Sequence, residues 1–268
     1  QAFEHISNVQ VEAILTEERE LKITEEITYD FGNLERRGIF RVIPERYDRD
    51  GAKYRYRYDV GETLINGEPV QKKVTREGDA VRIRLGDPDV TITGEHTYTI
   101  TYTTDRAVND FPEEGVRELY WNVTGNDWSI PIERASFTLH GPGEPSDLIC
   151  FTGPFGSVAQ ECEIATDGNT VTANTLDGST ADVPHLLPLH GLTVAVRYPE
   201  ELIQAVPTEE KVWNFIIDNG WVFIPLIVFA IMYMIWFYKG RDPKGTGTVI
   251  AQFDEPRRLT PIEMSALL

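Results

Sequence analysis

The residue types able to carry chemistry are plentiful in this 268-residue chain, but their spacing does not gather them. Five histidines stand apart, at His5, His96, His140, His185 and His190. The nearest pair, in Pro184-His-Leu-Leu-Pro-Leu-His190, would need further ligands to hold a transition metal, so loop histidines are the expectation. Among 43 Asp and Glu, Asp48-Arg-Asp50-Gly51 and Asp87-Pro-Asp89 resemble pieces of calcium loops. Neither carries the full loop with its late bidentate glutamate. A carboxylate pair for glycoside cleavage depends on separation in space, which spacing along the chain leaves open. The sequence has no G-x-S-x-G elbow, no H-E-x-x-H and no phosphate-cradling glycine loop. Gly245-Thr-Gly247-Thr is too short for a dinucleotide loop. No catalytic residue, metal ligand or cofactor is therefore expected.

Two segments stand out as candidate interaction surfaces. The first, Arg36-Arg-Gly-Ile-Phe-Arg-Val-Ile-Pro44, is the one basic cluster in an acidic stretch. Arg36, Arg37 and Arg41 could meet an anionic partner or lipid headgroups, or simply solvate a strand. The second, Leu119-Tyr-Trp-Asn-Val-Thr-Gly-Asn-Asp-Trp128, offers Tyr120, Trp121 and Trp128 as a carbohydrate-stacking platform or as core and corner residues. It also contains the glycosylation sequon Asn122-Val-Thr124. Cys150 and Cys162 are close in sequence and flanked by strand-forming residues. An internal bridge between them is the expectation for an exported region; buried thiols or intermolecular bridges are the alternatives.

The elements that must position these groups read as β. Val9, Val11, Ala13 and Leu15 alternate with polar residues. So do Leu21, Ile23, Ile27 and Tyr29, although Glu25 breaks the pattern. Tyr54, Tyr56 and Tyr58 alternate with arginines, as do Val81, Ile83 and Leu85; Tyr98, Ile100 and Tyr102 alternate with threonines. Asn66-Gly67, Glu77-Gly78-Asp79 and Gly86-Asp87-Pro88 punctuate these runs as turns. The expected fold class is mainly β, an antiparallel β-sandwich of immunoglobulin-like type followed by a transmembrane α-helix. The β region spans residues 1–205, either one domain or two packed units at about 1–140 and 141–205.

Trp221 to Tyr238 is an uncharged run of 18 residues. As a helix it would extend roughly 27 Å, near the hydrocarbon thickness of a bilayer. With an outward extension the helix is expected over 209–239, with Pro225 in its first turns and Trp221 and Trp236 at the two interfaces. The net charge of −18 divides unevenly: residues 1–218 hold 39 acids and 20 bases, residues 219–268 hold 4 and 5. Lys239, Arg241 and Lys244 follow the run directly, so the positive-inside rule places 240–268 in the cytoplasm and residues 1–218 outside. Export of so large a region calls for a signal peptide, removed or trimmed from this chain. The acidity argues against nucleic acid, and two cysteines exclude a disulfide-dense mini-protein and a four-cysteine zinc module.

The sequence resembles a family of prokaryotic predicted membrane proteins, domain of unknown function 2207. The resemblance rests on four segments in order: Ile23-Thr-Glu-Glu-Ile-Thr-Tyr-Asp-Phe31, Arg37-Gly-Ile-Phe-Arg-Val-Ile-Pro44, Tyr120 through Ala135, and Gly240-Arg-Asp-Pro243. The cysteine pair and Leu192-Thr-Val-Ala-Val196 fit as well. It implies an exported β-sandwich on a membrane anchor, with no enzymatic activity to carry over. It also implies further transmembrane helices and a longer cytoplasmic part. A helix start at Thr260-Pro261 with Glu263 then suggests that the 240–268 segment is truncated. The expected function is binding or assembly at the cell envelope, with membrane lipid, another envelope protein or a second copy as partner. An envelope hydrolase using carboxylates or a metal, and an accessory subunit of a larger membrane complex, are the competing readings.

Overall fold

The computed structural model describes residues 4–49, 52–176 and 185–240, with residues 262, 265 and 266. Seventeen strands follow in chain order among them. The first half holds β1 (His5–Leu15), β2 (Leu21–Asp30), β3 (Ile39–Pro44), β4 (Arg46–Arg49), β5 (Ala52–Arg55), β6 (Tyr58–Ile65), β7 (Glu68–Pro69), β8 (Lys72–Glu77) and β9 (Ala80–Leu85). The second holds β10 (Glu95–Thr104), β11 (Val108–Phe111), β12 (Val116–Asn122), β13 (Ala135–His140), β14 (Asp147–Pro154), β15 (Cys162–Asp167), β16 (Thr170–Thr175) and β17 (His190–Pro199). Helices α1 (Thr208–Asn219) and α2 (Ile224–Ile235) come last.

An eight-stranded sheet runs β15-β16-β13-β1-β2-β10-β6-β7, and a four-stranded one β11-β12-β17-β14. A three-stranded sheet β3-β9-β8 and the β4-β5 hairpin complete the set. The period-two runs lie where the alternation puts them: Val11, Ala13, Ile23, Ile83, Leu85, Tyr98 and Ile100 are all buried. Asn66 and Gly67 both take positive φ in the turn joining β6 to β7, the geometry such a dipeptide favours. Pairing is antiparallel except between β1 and β13, which run parallel from Val9 opposite Ala135 to Ile14 opposite His140. Alternation marks which face of a strand is buried but carries no strand direction, so sequence could not signal this pair. Residues 141–205 form no unit of their own, because β15 and β16 extend the sheet of β1 and β13 while β14 and β17 pair alongside β12.

Glu25 lies on the buried face of β2 between Ile23 and Ile27. Its partner is Arg41 on β3, whose Nε and Nη2 donate to the two carboxylate oxygens at 2.6 and 2.7 Å. The Tyr102 hydroxyl donates a third bond at 2.5 Å. Burial penalises the guanidinium, but the Glu25 charge and hydrogen bonds outweigh that and hold Arg41 protonated. Arg41 also donates to the carbonyls of Val42 and Val123, joining β3 to the segment after β12. Gly125, at φ 78°, lies so close that a Cβ there would stand 2.5 Å from the Arg41 Nη1.

The chain divides into two compact units, Gln1–Asn219 and Gly220–Leu268. α1 therefore belongs to the β unit, beyond the expected limit at residue 205. In the second unit, Pro225 stands in the first turn of α2, as expected of a residue with no N–H to lose there. Trp221 and Trp236 are exposed, with apolar side chains presented all around α2. Thr208–Gly240 is long and apolar enough to cross a membrane, and none of its most apolar window is buried. Lys239 lies in the helical turn that ends at Gly240. Arg241 and Lys244, with most of the 240–268 segment including Thr260, lie outside the described residues.

Candidate functional site

The outer face of the four-stranded sheet floors a cleft of about 330 Å³. The pleat explains its residues. Leu119, Trp121 and Val123 alternate inward and are buried, so Tyr120 and Asn122 face out. The register places Asn122 opposite Thr193 on β17, and Thr193 opposite Phe151 on β14, a row across three strands. One wall comes from Tyr47, Tyr54 and Tyr56, packed edge to face at 5.0 and 5.7 Å. The other is the turn after β14, where Phe155 stands 87% exposed. Gly153 near the end of β14 and Gly156 in that turn both take positive φ.

The Cys150–Cys162 disulfide bridges β14 to β15 and closes the segment that carries Phe155. The free edge of β14 is already used there: the Thr152 N–H donates to the Ala159 carbonyl at 2.8 Å. Asn126 reaches across to donate to the Gly153 carbonyl and accepts from Asn122 at 2.7 Å, fixing the rim on that side.

The described lining is uncharged. Of its twenty described residues eight are aromatic and none is Asp, Glu, Lys or Arg, although a quarter of the chain is charged. Burial pushes the Tyr47 hydroxyl up to about 12. The same cause, with Glu118 nearby, raises Tyr120. Both rings stay neutral through the physiological range, so the described lining offers aromatic faces, amides and hydroxyls but no acid or base at neutral pH. The indole N–H of Trp121, itself 4% exposed, has no hydrogen-bond partner among the described residues.

A second cavity, of about 400 Å³, lies between α1 and the strands. Its character is opposite. Arg106 donates to Asp218 at 2.8 Å with both side chains buried, and its guanidinium covers the Tyr54 ring at 4.4 Å. Arg57 donates to Asn214 of α1 at 2.5 Å. Asp110 meets Arg19, Arg117 and Lys211 at 2.8, 3.0 and 3.5 Å. Burial pushes the Asp110 carboxyl up, but these cations outweigh it and leave the group below its ordinary value. Tyr54 and Asn109 line both cavities.

The expected interaction residues separate. Arg36 is exposed and pairs with Glu4 at 3.0 Å; Arg37 is exposed as well. Arg41 is not a surface residue: it is 2% exposed and committed to Glu25. Trp128 is not one either, being 8% exposed with its indole donating to the Thr124 carbonyl. Trp121 is buried under the cleft, and Tyr120 alone of the aromatic trio presents its ring outward. The sequon Asn122 spends its amide on Asn126 and on the Gly125 N–H. Asp87 accepts from the Asp89 N–H in a turn, and Asp50-Gly51 lies outside the described residues. No group of three His, Cys, Asp or Glu among the described residues is placed to hold a metal ion. Sequence reasoning missed the cleft walls. The Tyr54-Arg-Tyr56 alternation was legible as a strand but not as a wall, and Pro154-Phe155-Gly156 only as a turn.

The predicted membrane protein (DUF2207) N-terminal domain matches residues 5–198. The uncharacterized protein YciQ of Escherichia coli (strain K12) is 32% identical over 175 residues, covering 62% of this chain and 27% of that protein. The chain thus spans about a quarter of the curated relative it matches. Among solved structures, yeast LTA4 hydrolase in complex with bestatin matches at 11% identity and TM-score 0.44, covering 72% of this chain and 28% of that one. An M1 zinc metallopeptidase from Deinococcus radiodurans matches at 14% identity and TM-score 0.35, covering 72% and 42%.

Proposed function

The chain belongs to the predicted membrane protein (DUF2207) family, and on that premise we propose that its β unit is a ligand-binding module held outside the membrane. The observation that carries this reading is the neutral aromatic cleft. Exposed aromatic side chains gathered in a concave, uncharged site are what a binding surface requires and what a solvated surface avoids. The Phe155 turn, pinned by a disulfide, supports it further, since a fixed loop loses less entropy on binding. The outward placement is supported by the disulfide, which persists in oxidising compartments. It is also supported by the basic residues directly after the span.

Both parts are testable on one variant. Val158 is 79% exposed beside Phe155, and both native cysteines are bridged, so Val158→Cys introduces a single labelling site. A membrane-impermeant thiol reagent on intact cells should label it; protection until lysis would contradict the orientation. An environment-sensitive fluorophore there, on the full chain in nanodiscs, should respond saturably to polysaccharide or peptide fractions of the envelope. A flat response to every fraction would contradict the binding role.

A further inference from the structure

We infer that the cleft takes a neutral, hydroxyl-rich glycan strand, an assignment that rests on the binding role just proposed. Four features of the site lead there. First, the described lining is uncharged in a chain of net charge −18. A charged ligand would have to give up its hydration for no countercharge, which is costly. Second, the aromatic faces lie beside amides and hydroxyls: Tyr120 next to Asn122 and Thr193 on the floor, Phe155 next to Ser157 on the lip. A sugar ring has that same division, with C–H faces that pack on rings and hydroxyls around the edge that need partners.

Third, Trp121 lies beneath the cleft and keeps a buried indole N–H that no described residue accepts. Fourth, an extended peptide binds best by adding to an open strand edge. The β14 edge at this cleft is already occupied by Ala159, and the floor is a sheet face. A linear glycan lies across such a face without needing backbone groups.

The test uses the full chain in nanodiscs, titrated calorimetrically with three probes of similar length. These are a neutral β-linked hexasaccharide such as chitohexaose, an oligogalacturonate hexamer, and an uncharged tyrosine-rich hexapeptide. The neutral glycan is expected to saturate and the anionic one to bind at least about tenfold more weakly. Tyr120→Ala and Phe155→Ala are each expected to weaken the neutral glycan by about tenfold, the scale of one lost ring contact. Both residues are exposed, and an unchanged melting temperature shows that the fold is intact. Equal binding of the two glycans would overturn neutrality as the selecting feature. Saturation by the peptide alone would overturn the glycan assignment and leave the cleft a binding site. Silence from all three, or glycan binding indifferent to both variants, would overturn the glycan assignment. If Val158→Cys also stays silent to every envelope fraction, the binding role fails with it.

Discussion

The cleft on the four-stranded sheet and the cavity under α1 are neighbours that share Tyr54 and Asn109, yet they are built from opposite chemistry. The cavity is filled with paired charges that tie one part of the chain to another: Arg106 to Asp218, Asp110 to Arg19 and Arg117. The cleft has aromatic faces and amides and no charge among its described residues. The difference teaches which region is already engaged. Buried guanidinium–carboxylate pairs satisfy one another and fix α1 on the strands. The Tyr120 and Phe155 rings stand exposed at the cleft and are the surface left for a ligand.

Breaking the charged region should have the largest effect. Asp218→Ala leaves Arg106 buried without its carboxylate, a change expected to cost about 3–5 kcal/mol. Amide exchange should quicken through Thr208–Asn219 while the cleft strands hold; unchanged exchange there would mean the pair is idle. Reducing the disulfide comes next. Opening a loop of 12 residues' separation should cost roughly 3 kcal/mol, lower the melting temperature and free the Phe155 turn, with α1 exchange unaltered.

Acid should separate the two regions. Asp110 sits below its ordinary pKa because Arg19, Arg117 and Lys211 outweigh burial. The unfolded chain therefore takes up protons first as pH falls. Its contribution is complete above the unfolded value of about 4 and is lost as pH drops below it. Melting followed from pH 7 to pH 3 should weaken the α1 side while ligand binding keeps its affinity until the fold fails. At the other extreme, tyrosines raised by burial, Tyr47 and Tyr58 among them, give stability that is complete below about pH 10 and is lost above it. Phe155→Ala should have the smallest effect on stability, within about 0.5 kcal/mol, because the ring is almost wholly exposed.

Much of the frame was legible in the sequence because alternation and burial share one cause, the pleat. Val11, Ala13, Ile83 and Leu85 point inward as their spacing requires, and the apolar run after Gly220 is unmistakable. Glu25 is instructive in the other direction. It looked like a flaw in a buried face and is the partner of Arg41, a residue that looked like surface. A lone charge in an apolar alternation and a lone base in an acidic stretch were each other's explanation, but pairing across 16 positions is not written in local pattern. The cleft was hidden for a related reason. Its rings come from the β4 to β6 segment, β12, β14 and the turn after β14, and only strand pairing and a disulfide bring them together.

The most direct test of the contrast is amide-exchange mapping of the full chain in nanodiscs, with and without a saturating neutral hexasaccharide. Protection should rise at residues 54–56 and 151–157, which frame the cleft, and stay unchanged across Thr208–Asn219. Protection gained on α1 with none at the cleft would contradict the assignment of the neutral region to ligand and the charged region to the fold.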